Sequence, residues 1–427
     1  MKLSRVIMAL VLLGILGMSA HFAIDTDTWW HLKAGEWMVE NGRIIQEDPF
    51  SYTKGGTPWQ YPGVWLQVGM YLLYDWFGPG ALNIWTAVMV TAIFYPVLRM
   101  SRGNVIFIAF VVLLAVIASA IYWNARPYLV SFLLFAFIYF ILDRYYRRGK
   151  GKLWLLPVLM VVWVNTHGSF LAGFILTGPF FVDALMQSWI ARNHEDAVFR
   201  REEKEKALHI LIVFGLMLVA SLITPHGWNI WALPFTTFTR QAEQQLITEW
   251  QSPNFHDTSM LPFAALLLLS LAVLGGANKR LRLFEILLLA GFGNLGLVSM
   301  RNIMFFSIVA PPILTRYGDR VIANLGEDIG ISLSLDFDRA PGRIAGRINA
   351  LIVIVVGLLV VFSMVRYLPV SANQEDFTER FPVAAVEFLK EASLDGRIFN
   401  SYNYGGYLIW ALEEYPVYID GRADLYG

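Results

Sequence analysis

Residues 6–24 read VIMALVLLGILGMSAHFAI, and the chain then turns abruptly polar with Asp25-Thr26-Asp27-Thr28-Trp29-Trp30-His31. A bilayer core takes about 20 apolar residues at a helical rise of 1.5 Å, so this run is long enough to cross one. Lys2 and Arg5 precede it, as they would precede a cleaved signal peptide. The run is long for that, and the site around Ala20 is a poor cleavage match, so it reads as a first span. It delivers two carboxylates to the point where the chain leaves the membrane.

Ten further apolar segments follow, at about 78–98, 104–122, 128–143, 153–166, 169–190, 207–224, 260–277, 283–299, 302–316 and 347–368. With the first they give about 11 transmembrane helices. The segment 64–77 is apolar but short, and reads as an interfacial or re-entrant helix. Composition agrees. Apolar residues make up 56% of the 427, and charged residues 15% against the roughly 25% usual in soluble domains. Mean hydropathy is +0.52. These figures exclude an ordinary soluble domain and a disordered chain. Lys and Arg equal Asp and Glu at 33 each, so no basic surface for nucleic acid is implied. The absence of cysteine excludes disulfides, thiol nucleophiles, thiolate zinc sites and iron–sulfur clusters.

Charge placement sets the orientation. With the N-terminus inside, 22 of the 33 Lys and Arg fall in inside loops, which is the positive-inside pattern and predicts N-in, C-out. Three outward segments are then large: 25–63, 225–259 and the tail from 369. Large outward loops over a helical bundle predict a site facing away from the cytoplasm. The tail carries a helix-like stretch from Pro382 to Glu391 and strand-like runs around 397–400 and 416–419, the start of a small α/β domain. The chain stops just after a turn, at Gly427, which reads as a truncation. The expected organisation is an all-α polytopic bundle over 1–368 and an external domain over 369–427.

Asp25 and Asp27 have two readings. Asp27 is the N-cap of a helix over 28–40, ended by Asn41-Gly42. Alternatively the pair forms a bilayer-edge site that binds a divalent cation or takes a proton, with His31 on the same helical face as Asp27. Asp48, before Pro49, reads as a turn former. Glu249, beside Trp250, reads as a solvated carboxylate. Asn165-Thr166-His167-Gly168 forms a tight outward turn. Arg126 and Arg301 sit at outer span ends, where an arginine either snorkels to headgroups or grips a phosphate with its planar fork. Ser401-Tyr402-Asn403-Tyr404-Gly405 opens an aromatic-rich stretch, either a small core or a sugar-stacking surface.

Taken together these pieces resemble the GT-C superfamily of membrane glycosyltransferases, and in motif the catalytic subunit of oligosaccharyltransferase and its uncharacterised bacterial relatives. Asp27-Thr28-Trp29-Trp30-His31 is similar to the family's acidic motif after the first span, with Asp25 as the second acid. Leu246-Ile247-Thr248-Glu249 resembles its late external-loop motif, Ser401 to Gly405 its aromatic signature, and Arg301 the arginine that grips the lipid phosphate. The family's second acidic motif belongs around 123–127, where this chain has Asn124 and Arg126. Asn403 stands where the signature has Asp.

The resemblance implies a glycosyltransferase in the plasma (inner) membrane. It would move a sugar from a polyprenyl-phosphate donor to a glycan, lipid or protein acceptor on the outer face. Asp27, with Asp25, would be catalytic. Arg301, Arg126, His31, Glu249, Asn403 and Tyr404 would bind substrate, and Asp27 with Glu249 would hold Mg or Mn. A multi-pass transporter or lipid-carrier flippase is the rival reading, but no internal repeat is visible and the polar residues gather at the outer edge rather than the midplane. A non-catalytic assembly protein is a third.

Overall fold

The computed structural model describes residues 1–59, 61–233, 247–277, 280–328, 337 and 341–426. Lys279, Arg339, Gly427 and residues 234–246, Leu246 among them, lie outside these. Each of the eleven apolar segments is a helix. In chain order the helices are α1 (Leu3–Ser19), α2 (Thr26–Asn41), α3 (Val64–Phe77), α4 (Pro79–Met100), α5 (Val105–Ala118) and α6 (Tyr128–Arg148). Then come α7 (Leu155–Val164), α8 (Leu171–Ala191), α9 (Ala197–Ala220), α10 (Leu261–Gly276), α11 (Leu283–Val298), α12 (Ile303–Asp328) and α13 (Arg343–Val365). The tail holds α14 (Val370–Arg380), α15 (Val383–Ala392), α16 (Tyr402–Ala411) and α17 (Ala423–Tyr426).

Among the described residues, five helical stretches are long and apolar enough to cross a membrane: Pro79–Met100, Tyr128–Arg148, Gly168–Ala191, Thr258–Gly276 and Arg343–Val365. Four shorter apolar helices accompany them. In α13 the exposed side chains include Leu351, Ile354, Leu358 and Phe362, and its most apolar stretch has a mean hydropathy of 2.9. A helix that is apolar all round and left exposed marks a membrane protein.

Two apolar clusters organise the rest. The larger lies inside the bundle, with Phe135, Tyr139, Phe180, Phe284, Phe292 and Phe306 fully buried. The second is built on α2 and takes in residues from 23 to 82 together with Phe377, Phe381, Tyr407, Leu408 and Val417 of the tail. Trp29 is its centre, with edge contacts to Phe377 and Tyr407 at 4.9 and 5.3 Å between ring centroids. The tail therefore packs onto the loop 25–63.

The α/β expectation for the tail is corrected. Among the described residues it has no strand, only one isolated parallel bridge between Val417 and Ser51. The stretch 397–400 has no partner ladder and forms no regular element; Tyr402-Asn403-Tyr404-Gly405-Gly406 winds into α16. The glycines explain why. Any Cβ at Gly406 would collide with the Thr26 carbonyl of α2, and one at Gly405 with the Ile419 carbonyl, so their small size admits a close backbone crossing.

Candidate active site

The short turn after α5 carries Arg126, and two hydrogen bonds fasten it to the segment that starts α2. Ala125 N–H donates to the Ala23 carbonyl at 2.8 Å. Thr28 Oγ1 donates to the Ala125 carbonyl at 3.1 Å. Arg126 is thereby set beside Asp25 and Asp27. Its Nε donates to Asp25 Oδ2 at 2.6 Å, and its Nη1 lies 2.8 Å from Asp27 Oδ2 and 3.2 Å from Glu249 Oε1. One guanidinium thus gathers three carboxylates from two distant parts of the chain.

The cap belongs to Asp25 and not to Asp27. Asp25 Oδ1 accepts from the Asp27 and Thr28 amides at 3.2 and 3.0 Å, and Thr28 Oγ1 accepts from the Asp25 amide, a closed capping box. Two residues further on, Asp27 is released from capping and its carboxyl faces Arg126. Its other oxygen, Oδ1, faces Gly421 of the tail so closely that a Cβ there would overlap it. Burial pushes Asp27 up to about 7, against the pull of Arg126 and with a further push from Asp25 and Glu249. Burial also opposes the charge of Arg126, but the three carboxylates outweigh it and hold the guanidinium well above its ordinary value.

Glu249 reaches the cluster because its turn is pinned to the one before α12. Ser299 Oγ donates to the Glu249 carbonyl at 3.0 Å, and Met300 N–H to the Gln251 carbonyl at 2.9 Å. Arg301 lies in that turn, its guanidinium 4.8 Å from the Trp250 ring centroid. Its charge acts on Tyr61 together with those of Asp424, Asp27 and Arg126, and burial pushes the Tyr61 hydroxyl up. His31 is buried on α2, with Nδ1 3.1 Å from Gln67 Nε2. Burial, Arg126 and His167 hold its imidazole well below the ordinary value, and burial with Arg301 takes His167 down to about 3. Each ring thus sits beside a different arginine, His31 beside Arg126 and His167 beside Arg301.

Asp25, Asp27, Arg126 and Glu249 are brought together, with His31 and Arg301 bordering them. Asn403 and Tyr404 are exposed on the first turn of α16. Tyr61 and Gly421 escaped the sequence reading, since neither spacing nor composition places residue 421 against residue 27. Asp48, read as a turn former, does accept from the Phe50 amide at 3.0 Å. It is also buried against Arg422, whose Nη1 donates to it at 2.6 Å.

The divalent cation that the resemblance implies would draw on Asp27 and Glu249. Both aim at the same nitrogen, Arg126 Nη1. Asp25 has no oxygen to spare, one being in the cap and the other on Nε. Among the described residues no group of three His, Asp or Glu is arranged to hold a metal ion. The carboxylates expected to share a cation share a guanidinium, and the side chains present do not fit a resident divalent metal.

No family model matches the sequence, and no curated protein matches it either. Solved structures do. The oligosaccharyltransferase of Archaeoglobus fulgidus, tethered by a disulfide to an acceptor peptide containing the Asn-Val-Thr sequon, aligns over 97% of this chain and 64% of its own, with a TM-score of 0.54 at 13% identity. Its apo form aligns over 97% and 65%, with a TM-score of 0.51 at 13% identity. The chain spans less than two thirds of the archaeal enzyme's length. The chain shares the fold of that enzyme, which bears out the resemblance at the level of fold.

Proposed function

We propose that this chain is a glycosyltransferase that moves a sugar from a polyprenyl-phosphate-linked donor to an acceptor on the outer face of the membrane, with Asp27 as the general base. The observation that carries the reading is the placement of Asp27. It is freed from capping, held through Oδ2 by Arg126, and left with Oδ1 directed away from that arginine. Its carboxyl is poised near neutrality, which suits a group that must accept a proton at physiological pH. The shared oligosaccharyltransferase fold supports the reaction class.

In the transfer, Asp27 takes the proton of an acceptor hydroxyl. The acceptor oxygen forms the new bond to the anomeric carbon as the carbon–oxygen bond to the phosphate breaks, with inversion at that carbon. Charge then develops on the leaving phosphate, and Arg301 is the residue that stabilises it. Arg126 was expected to share that task, but its fork is taken up by carboxylates. The organisation that goes with this reading is a bundle over 1–368 in the plasma membrane, N-in and C-out, with 369–427 outside and Asn403 and Tyr404 helping to hold the acceptor.

The test is transfer by the purified protein in lipid from a panel of labelled polyprenyl-phosphate sugars, wild type beside Asp27→Asn. General bases contribute about 10²–10⁴-fold, and a loss of that order is expected. A wild-type rate from Asp27→Asn would remove Asp27 from the mechanism. Lipid-carrier flipping without transfer would replace the reading by that of a flippase.

A further inference from the structure

The fold leads one to expect a divalent cation, and the residues do not supply a place for one. We infer that the Arg126 guanidinium stands where such a cation would sit, among Asp25, Asp27 and Glu249, so that the chemistry of this site needs no divalent metal. The inference takes from the proposed function only that Asp27 is the working carboxylate.

Three observations converge on it. First, each of the three carboxylates already turns one oxygen to Arg126. Asp25 Oδ2, Asp27 Oδ2 and Glu249 Oε1 all point at Arg126 nitrogens, at 2.6, 2.8 and 3.2 Å. A divalent cation bridging Asp27 and Glu249 would need the position that Nη1 holds, against a fixed positive charge.

Second, Arg126 is not a side chain that swings aside. Its backbone is tied to residues 23 and 28 through Ala125, so the turn that carries the guanidinium and the segment that carries the carboxylates move as one piece. Its side chain is mostly buried, at 13% exposure.

Third, the guanidinium can do what a cation would do for Asp27. It orients the carboxylate through a directional donor to Oδ2, with Oδ1 turned toward Gly421. It cannot act as a Lewis acid on the donor phosphate. That work falls to Arg301, which lies over the Trp250 ring in the turn pinned to Glu249. Arg126 is thus a positioning residue, acting through Asp27.

The experiment is Mn²⁺ binding by the full chain in lipid nanodiscs, read by the paramagnetic resonance of free Mn²⁺, for wild type, Arg126→Gln and Arg126→Lys. Wild type and Arg126→Lys are expected to take up no stoichiometric Mn²⁺. Arg126→Gln opens three carboxylates and is expected to gain one Mn²⁺ at least on the order of tenfold tighter than wild type. One Mn²⁺ per wild-type chain, lost in Asp27→Asn, would overturn the inference. So would wild-type transfer that stops in chelator and returns with Mn²⁺. Should Arg126→Gln fail to fold, the wild-type measurement decides by itself. Because binding is read without turnover, silence from every sugar donor would count against the proposed reaction and leave this inference standing.

Discussion

Replacing Arg422 with Gln is expected to release the tail from the loop 25–63. Arg422 is fully buried, and so are its carboxylate partners Asp48 and Asp420. Its Nε and Nη2 grip Asp420 in a two-pronged pair at 2.8 and 2.7 Å, and its Nη1 holds Asp48 at 2.6 Å. The guanidinium also lies 4.7 Å from the Trp59 ring and 5.2 Å from that of Phe50. Breaking a buried ion pair from one side costs about 3–5 kcal/mol, because the remaining charge is stranded. Here two carboxylates lose the same partner. Asp48 keeps the Phe50 and Ser51 donors, and Asp420 keeps the Tyr426 hydroxyl at 2.8 Å, which offsets part of the loss. A net cost of about 4 kcal/mol raises the population with an opened tail by roughly 10³-fold, at 1.4 kcal/mol per factor of ten. Limited proteolysis of the folded protein reads that population, since cleavage of a transiently opened segment follows its equilibrium when closing is fast. The exposed stretch around Leu394 is the expected cut site. Asp48→Asn combined with Arg422→Gln should cost less than the sum of the two single changes, because the double variant strands one charge fewer. A wild-type cleavage rate for Arg422→Gln, or strict additivity in the double variant, would show that the triad does not hold the tail.

Two shorter predictions follow from other parts of the structure. Gly421→Ala drives a methyl onto Asp27 Oδ1, so sugar transfer should fall by at least on the order of tenfold while thermal stability changes little; unchanged kinetics would mean that residue 421 stands away from the working carboxyl. Glu285→Ala removes a fully buried carboxylate that pairs with Arg147, Arg316 and Tyr317, and because Asp143 still pairs with both arginines the cost in thermal denaturation should sit at the lower end of about 3–5 kcal/mol; an unshifted midpoint would argue against that network. This second cluster lies one length of α6 from Arg126, about 30 Å, so transfer chemistry in the folded Glu285→Ala protein should be close to wild type.

The helical bundle was legible because apolar runs of this length have one economical fate in a bilayer, and all eleven runs are helices. Boundaries were less so. The segment expected at 207–224 begins at Ala197, because the charged stretch before it continues the helix through pairs such as Arg201–Glu205 and Lys206–Glu203. The cap at the start of α2 was misplaced by two residues, although Asp25 and Thr28 are spaced as a capping box and carried the signal. The tail misled for a different reason. The short apolar runs at 397–400 and 416–419 suit strands but find no partner ladder, and the glycines of the aromatic stretch between them serve a close helix crossing that only the partner helix explains. The resemblance pointed to Asp27, Glu249 and Arg301, but not to the role of Arg126. The missing acid in the turn at 123–127 was visible in the sequence, and what an arginine does in its place requires the turn's position in space. Asp48 and Arg422 are separated by 374 positions, and nothing local to either announces the other.

Asp25 performs two duties with its two oxygens, starting a helix with one and holding Arg126 with the other. Each duty alone would tolerate a replacement. Asn caps a helix as well as Asp does, but brings no charge to an arginine. Glu brings the charge, but its longer stem is a poor cap. The position is therefore caught between two demands that only one amino acid meets, and drift at residue 25 would have to be preceded by a change at 28 or 126. Among descendants of this sequence, position 25 should accept change later than position 27's other neighbours, and when it does change, its partners should change with it.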